Sequence, residues 1–581
     1  MTLLALVMFA FVFAPLAGWA GGRSSPFVAV IPFLLFASFC VLLPEIAAGK
    51  IVLEAHRWIP SLGIEAAFRL DGLSLTFALL ISGIGGAVFL YASAYLRGAP
   101  RLARFHVALT LFMASMLGAV LADDLVLLVV FWELTSLTSF LLIGYSPEEA
   151  ESRRSAQQGF LVTVAGGLAM LAGVILLGSV AGTFSITEIL DRGEMIAAHP
   201  LAPAIIVLIA AGAFAKSAQA PLHSWLANAM VAPTPVSAYL HSATMVKLGV
   251  YLLARLDPVF SDHALWIALL TGFGAATMLT GSVLAMRETD LKRVLAYSTI
   301  VSLGTLTMLI GIPGELAAVA VVTFLIVHAL YKACLFLVAG IIDHETGTRD
   351  SSALGGMRHF MPVTAAIALL GGLSMAGLPP FIGFAAKELV YETSLAGAGW
   401  WLVVAVALLA NAVMVVVAGI VAVRCFSGDL TATPKTPHDP DLAMLAGPAL
   451  LGVLGLVFGI APWLVGDSLV VPAASAIAGA PVDRILVDDS GRACGVQLAD
   501  GTRHAARTVL AGCHIRTTIM DLLRDAPLSA GLRKRVDDLR IGNGFGMIVR
   551  CAMSGLPAYP GETLDARGVG PCHHGLQLLC P

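Results

Sequence analysis

Fourteen runs of mostly apolar residues fill most of the first 470 positions, and they dictate what this chain can become. Each is about 18 residues or longer, enough as a helix to cross the hydrocarbon of a bilayer. In lipid every backbone N–H and C=O must be paired within the protein, so segments of this kind can only be helical. The runs fall at 2–20, 27–46, 73–96, 105–122, 125–145, 157–181, 201–230, 233–254, 264–286, 294–312, 315–341, 361–393, 398–424 and 443–466. The expected fold is an all-α polytopic membrane protein with about 14 transmembrane helices. Composition agrees, with 58% hydrophobic and 12% charged residues and a mean hydropathy of +0.90, well outside the range of soluble domains. A net charge of −3 leaves no basic footprint for nucleic acid.

The first twenty residues lack both an early basic stretch and a small-residue cleavage site, so they read as a retained first span. Loop charge sets the orientation. With the N-terminus outside, the inside loops hold thirteen Lys/Arg and the outside loops five. The positive-inside rule therefore places both ends of the bundle outside.

Two spans carry helix breakers beside a lysine. Span seven has Pro221 five residues after Lys216, and span twelve has Pro379-Pro380 seven residues before Lys387. Proline lacks the backbone donor and clashes with the preceding turn, so both helices should open at mid-depth rather than merely kink. Paired breaks five helices apart are the mark of two five-helix inverted repeats, with ion sites at the breaks. Pro233 and Pro235 stand at the start of span eight.

The apolar spans also hold ionisable residues that an anchor would not carry. Glu133 lies in span five, Lys216 in span seven, His241 and Lys247 in span eight, His328 and Lys332 in span eleven, and Lys387 in span twelve. At about 3 kcal/mol each on insertion scales, Glu133 and the four lysines would cost on the order of 15 kcal/mol, as much as the net stability of a typical fold. Pairing and hydration must offset this, which calls for a wet polar seam. Lys216 is the natural partner for Glu133, since moving or screening either one changes the proton affinity of the other. His328 and Lys332 stand four apart and share a helix face. His241 and Lys247 stand six apart, about 120° round an unbroken helix. Either histidine could instead be a hydrogen-bonded core residue, and Lys387-Glu388 an interfacial ion pair. Nothing clusters as metal ligands would. The eight cysteines include no CxxC pair: Cys40, Cys334 and Cys425 lie in or beside apolar runs, and the other five follow residue 490.

Several long segments, in order, carry a family resemblance: FRLDGLSL (68–75), DDLVLLVVFWELTSLTSFLLIGY (123–145), KSAQAPLHSWL (216–226), APTPVSAYLHSATMVKLGVYLLAR (232–255), DLKRVLAYSTIVSLG (290–304) and HALYKACLFLVAG (328–340). Over residues 1–470 the chain resembles the antiporter-like family of Mrp-type multisubunit Na+/H+ antiporters and complex I membrane subunits, and its wording is nearest to the Mrp A-type subunits. The resemblance implies a proton channel in each half. Glu133 and Lys216 would be the coupled pair of the first, Lys247 the connection, and His328, Lys332 and Lys387 the second, with His241 a possible member. It implies partner subunits in a hetero-oligomer, H+ and Na+ (or K+ or Li+) as the ions, a bacterial cytoplasmic membrane, and no cofactor or metal. In that family the A-type subunits continue past the fourteenth helix with further helices that contact their partners.

Here the composition changes instead at about Gly479. The domain reading is N-terminal helices at 1–122, an antiporter-like core at 123–424, a final span with its flanks at 425–475, and a small α+β segment at 476–581. In the last, 484–512 reads as three short strands with turns at 489–491 and 500–501, followed by polar helices near 515–525 and 528–540. It resembles a fragment of the phytoene-desaturase/FAD amine-oxidase class, and is expected to be a non-native fusion. GNGFG at 542–546 does not follow a strand and open a helix as a dinucleotide fingerprint must. Cys572-His573-His574 has no second ligand cluster for a metal.

Three functions compete: a proton-translocating antiporter subunit, a proton-pumping membrane subunit of a redox complex, and a membrane-anchored flavin oxidoreductase. The missing dinucleotide motif and the intramembrane charges weigh against the third.

Overall fold

The computed structural model describes residues 2–478 except 24, 60, 62, 63 and 397–400, and then 482–488, 493–498, 503–505 and 517–537. These belong to two compact units, Met1–Gly479 and Ala480–Pro581.

The first unit begins with α1 (Leu3–Gly21), α2 (Val30–Ala47) and an antiparallel hairpin of β1 (Val52–Ile59) and β2 (Ile64–Leu70). Asp71 then opens α3 (Gly72–Tyr95) through a capping box with Ser74, satisfying amide donors that a helix start leaves unpaired. After α4 (Leu102–Leu121), the Asp124 side chain accepts from the first amides of α5 (Leu125–Ile143). The long α6 (Ala150–Ala181) leads through short α7 (Ile186–Asp191) and α8 (Gly193–Ala197) to the seventh span.

That span is broken, as its proline requires. It consists of α9 (Ala202–Lys216), an irregular stretch containing Pro221, and α10 (Ser224–Asn228). The amide of Ala220 donates instead to Thr277 Oγ1 (2.9 Å), a neighbouring helix supplying the partner that the lost turn would have given. Span twelve breaks likewise between α16 (Pro362–Ala376) and α17 (Ile382–Ala396), turning at Gly377 with φ +74°.

Span eight is broken too, which the sequence reading missed. α11 (Thr234–Ser242) and α12 (Met245–Phe260) part at Ala243-Thr244. No proline or glycine lies there. Ser242 donates its hydroxyl to the Ala238 carbonyl and Thr244 donates its own to Tyr239 O (2.7 Å). Such side-chain bonds compete with the helical ladder. The 120° separation of His241 and Lys247, which assumed one unbroken helix, therefore does not hold.

The remaining spans are α13 (Ala264–Ala285), α14 (Leu291–Ile310), α15 (Glu315–Thr346), α18 (Trp401–Gly419, continued by a π turn to Arg424) and α19 (Leu442–Ile460). Among the described residues, eleven helices are long and apolar enough to cross a membrane, and the three broken spans complete the expected fourteen. A further apolar segment follows, α20 (Trp463–Val465) and α21 (Val471–Ala478), the latter packed against α3 and α15.

Burial shows where the centre lies. The apolar window of α15 is buried throughout, that of α14 over 94% and that of α3 over 89%. The windows of α2, α6, α13, α18 and α19 are only 33–39% buried, leaving one apolar face of each outward as lipid contact requires.

In the second unit, β3 (Val482–Val487), β4 (Ala493–Leu498) and β5 (Arg503–Ala505) form the expected antiparallel sheet. A π turn at Thr517–Leu522 and α22 (Ala530–Asp537) fall within the two expected helical stretches. The two turns, GNGFG and Cys572-His573-His574 lie outside the described residues.

Candidate functional site

Each expected lysine in the centre of the bundle is fully buried: Lys216, Lys247 and Lys332 have no exposed surface. Their ammonium groups are held by neutral oxygens. Lys216, in the last turn of α9, donates to Ser136 Oγ (2.8 Å) and to Trp132 O (3.1 Å) on α5, and lies over the Trp132 ring at 5.1 Å. Lys247, in the first turn of α12, donates to Leu325 O on α15 (2.9 Å). Lys332 on α15 donates to Ser298 Oγ on α14 (2.6 Å).

Glu133 and Lys216 are brought together less closely than expected. Lys216 grips α5 at the residue before Glu133 and at Ser136, one turn further on, but forms no ion pair with the Glu133 carboxylate, whose Oε1 has no protein partner. That oxygen points towards α6 at Gly167, where an added Cβ would overlap it. The glycine leaves the notch that the carboxylate occupies.

A second glycine joins the halves. α12 crosses α9 at Gly249, and a Cβ there would collide with Ala213 O and Ser217 Oγ. This close crossing packs α12, the helix that carries Lys247, directly against the helix that ends in Lys216, while the Lys247 side chain leaves α12 on the opposite side, towards α15. From Lys247 the row passes to α15. Leu325, whose carbonyl takes the ammonium, stands one turn before His328, on the same face. His328 is fully buried between Phe324 and Tyr331, and both its ring nitrogens lack a protein partner. Lys332 follows a turn later.

Lys387 stands apart from this buried run. It is partly buried on α17 and donates to Ala376 O (2.8 Å), at the point where α16 ends. It lines a cleft of about 300 Å³ with Glu388, Tyr391 and Asn411. Glu388 is exposed and does not pair with it. His241 on α11 is fully buried beside Trp225, with neither ring nitrogen partnered by protein.

Two further groups escaped the sequence reading. Lys292, counted there as an inside-loop charge, is 2% exposed and donates to Ala232 O just before α11 (2.6 Å). Its place in DLKRVLAYS, two residues past the capping Asp290, was the available signal. Arg255, counted as an outside-loop charge, is 1% exposed and forms a forked ion pair with Asp71 (2.5 and 2.9 Å), which Arg69 also reaches (2.8 Å). Among the described residues no group of His, Cys, Asp and Glu could hold a metal ion.

A multi-pass helical membrane protein with broken spans and a row of buried lysines is the class that this fold and site define. Residues 122–413 match the family model described as NADH:quinone oxidoreductase/Mrp antiporter, TM, and residues 58–106 match that of complex I chain 5 N-terminus. The chain belongs to the NADH:quinone oxidoreductase/Mrp antiporter family. The A-type subunit of the Na+/H+ antiporter of Alkalihalophilus pseudofirmus is 44% identical over 479 residues, covering 78% of this chain and 59% of that protein. The A/B-type subunit of a probable K+/H+ antiporter of Rhizobium meliloti is 43% identical over 446 residues, covering 76% and 45%. Among solved structures, a chain of the Mrp complex from Dietzia sp. superposes with a TM-score of 0.74 at 39% identity, covering 82% of this chain and 52% of that one. An archaeal membrane-bound sulfane sulfur reductase shares the fold alone (TM-score 0.71, 23% identity, 82% and 97% covered). The chain thus spans about half of the antiporter relatives it matches. The family models do not extend into residues 476–581.

Proposed function

We propose that this chain is a proton-translocating subunit of a multisubunit monovalent cation/H+ antiporter, working with other subunits in a bacterial cytoplasmic membrane with its N-terminus outside. Protons move along Glu133, Lys216, Lys247, His328, Lys332 and Lys387, with His241 as a side member. The observation that carries this is the set of three fully buried lysines held only by carbonyl and hydroxyl oxygens. Ionisable groups at such depth are costly and mark ion or proton paths. His328, with both ring nitrogens open, stands one turn from Lys332 on α15, and His241 on α11 has both of its nitrogens open as well.

The relatives favour Na+ or K+ as the exchanged cation, since their names carry those ions. A proton descending one pH unit releases about 1.4 kcal/mol, and one charge crossing 100 mV about 2.3 kcal/mol. More than one proton per cation would let the membrane potential contribute.

The test is cation-dependent proton flux in vesicles holding the complex assembled with its candidate partner subunits. Glu133→Ala and Lys216→Ala should each abolish it while the complex remains assembled. Undiminished flux in both variants would remove these residues from the path. Absence of flux with the native chain, in an antiporter-deficient host that also stays sodium-sensitive at alkaline pH, would refute the antiporter reading.

A further inference from the structure

The break of span twelve sets a lysine ammonium on the end of a half-helix. Carbonyls at a helix C-terminus carry partial negative charge, and α16 ends at Ala376, whose oxygen takes Lys387 Nζ at 2.8 Å. Gly377 makes room for this contact. Its φ of +74° turns the chain, and a Cβ on it would overlap Lys387 Cδ. Half-helix ends of this kind coordinate cations in membrane transporters. Here the cation at that end is the protein's own ammonium.

Oxygen ligands gather beside it. The cleft of about 300 Å³ that Lys387 lines is also lined by Glu388 and Tyr391 of α17 and by Asn411 of α18. Asn411 is the one polar residue of α18 (Trp401–Gly419), and its side chain stands beside the Tyr391 hydroxyl. Glu388 is exposed at this cleft, within a spanning segment, and no ion pair among the described residues takes up its charge. A carboxylate at the centre of a span costs about 2.5–3.5 kcal/mol in lipid, so it calls for a counter-charge. Of the helices packed on α17, α16, α18 and α19 carry no titratable side chain. At mid-depth α14 and α15 carry Tyr297, His328, Tyr331, Lys332 and Cys334, and Glu392 follows Glu388 by one turn.

We propose that this cleft is a monovalent-cation site, with Glu388, Asn411, Tyr391 and the Ala376 carbonyl supplying oxygens, and that the cation and a protonated Lys387 exclude each other there. Like charges about 4 Å apart repel by roughly 4 kcal/mol near a protein surface, so a cation at Glu388 and an ammonium on Ala376 O do not coexist. When Lys387 gives up its proton, its charge leaves the cleft and a cation enters. When Lys387 is protonated again, the cation is expelled. A site that holds either a proton or a cation exchanges the two. This rests on the transport reading above and gives the exchanged cation a place in the chain.

The test measures binding of radioactive sodium to the purified assembled complex over a range of pH, with rubidium in place of potassium should potassium drive the flux. The chains compared are the native one, Glu388→Gln, Asn411→Leu, Lys387→Gln and, as control, Glu392→Gln, whose side chain is not among those lining the cleft. Glu388→Gln and Asn411→Leu should each raise the half-saturating cation concentration by about tenfold or more, with Glu392→Gln at the native value. In the native chain that concentration should rise as pH falls, by up to about tenfold per unit, and in Lys387→Gln this dependence should flatten. Native affinity in both Glu388→Gln and Asn411→Leu overturns the cation site and leaves the antiporter reading intact. Should Glu388→Gln fail to assemble, Asn411→Leu decides: native cation affinity there makes Glu388 the anchor of a partner's basic side chain and overturns the site. No cation-driven proton flux with the native chain overturns both.

Discussion

The Lys216 ammonium lies 2.8 Å from Ser136 Oγ, one turn along α5 from Glu133, and not on the Glu133 carboxylate. Lysine and carboxylate therefore meet the same stretch of α5 without neutralising each other. Oε1 of Glu133 lies instead in the notch that Gly167 leaves in α6.

Ser136→Ala removes one acceptor of the buried ammonium and leaves Trp132 O. Flux should fall without vanishing, in contrast to Lys216→Ala. A lost hydrogen bond to a charged group is worth about 1.5–3 kcal/mol, so thermal unfolding of the purified chain should drop as well.

The crossing at Gly249 allows no side chain. Gly249→Ala should destabilise the chain by roughly 1–3 kcal/mol through overpacking against Ala213 and Ser217, and lower flux by pushing α12 away from α9. Gly272→Ala is the control, because nothing stands within 4 Å of where its Cβ would be. A similar loss of melting temperature in both would contradict the crossing.

Breaking the Asp71–Arg255 pair strands a buried charge. Asp71→Asn should cost about 3–5 kcal/mol, and joint replacement as Asp71→Asn/Arg255→Met should cost less than Asp71→Asn alone. A double-mutant cycle on thermal unfolding measures the coupling. Strictly additive losses would show that the pair does not act as a unit.

Thr244→Val removes the hydroxyl that caps Tyr239 O at the break between α11 and α12. The helix should tend to close there, rotating Lys247 away from Leu325 O. Flux should fall with the melting temperature nearly unchanged. Flux and stability both at the native level would show that the break does not depend on this bond.

Deleting residues 480–581 should leave assembly and transport at native levels, since they form a compact unit of their own. Loss of either in the shortened chain would give the segment a part in the complex.

The sequence by itself determined the fourteen spans, because hydrocarbon thickness and the pairing demand of the backbone leave a long apolar run no alternative to a helix. It also determined two breaks, through Pro221 and Pro379-Pro380, and the identity of the buried lysines, whose cost in lipid makes each one conspicuous. Tertiary structure decided the rest. The break in span eight comes from Ser242 and Thr244 hydroxyls taking backbone carbonyls, a choice that the same residues decline in many helices. Lys292 and Arg255 are buried because α14 and α12 reach further into the bundle than loop counting allows. Whether Lys216 meets Glu133, Ser136 or Trp132 depends on the Gly249 crossing and the Gly167 notch. Contact between helices distant in sequence is set by such shapes, and no local pattern of residues encodes them.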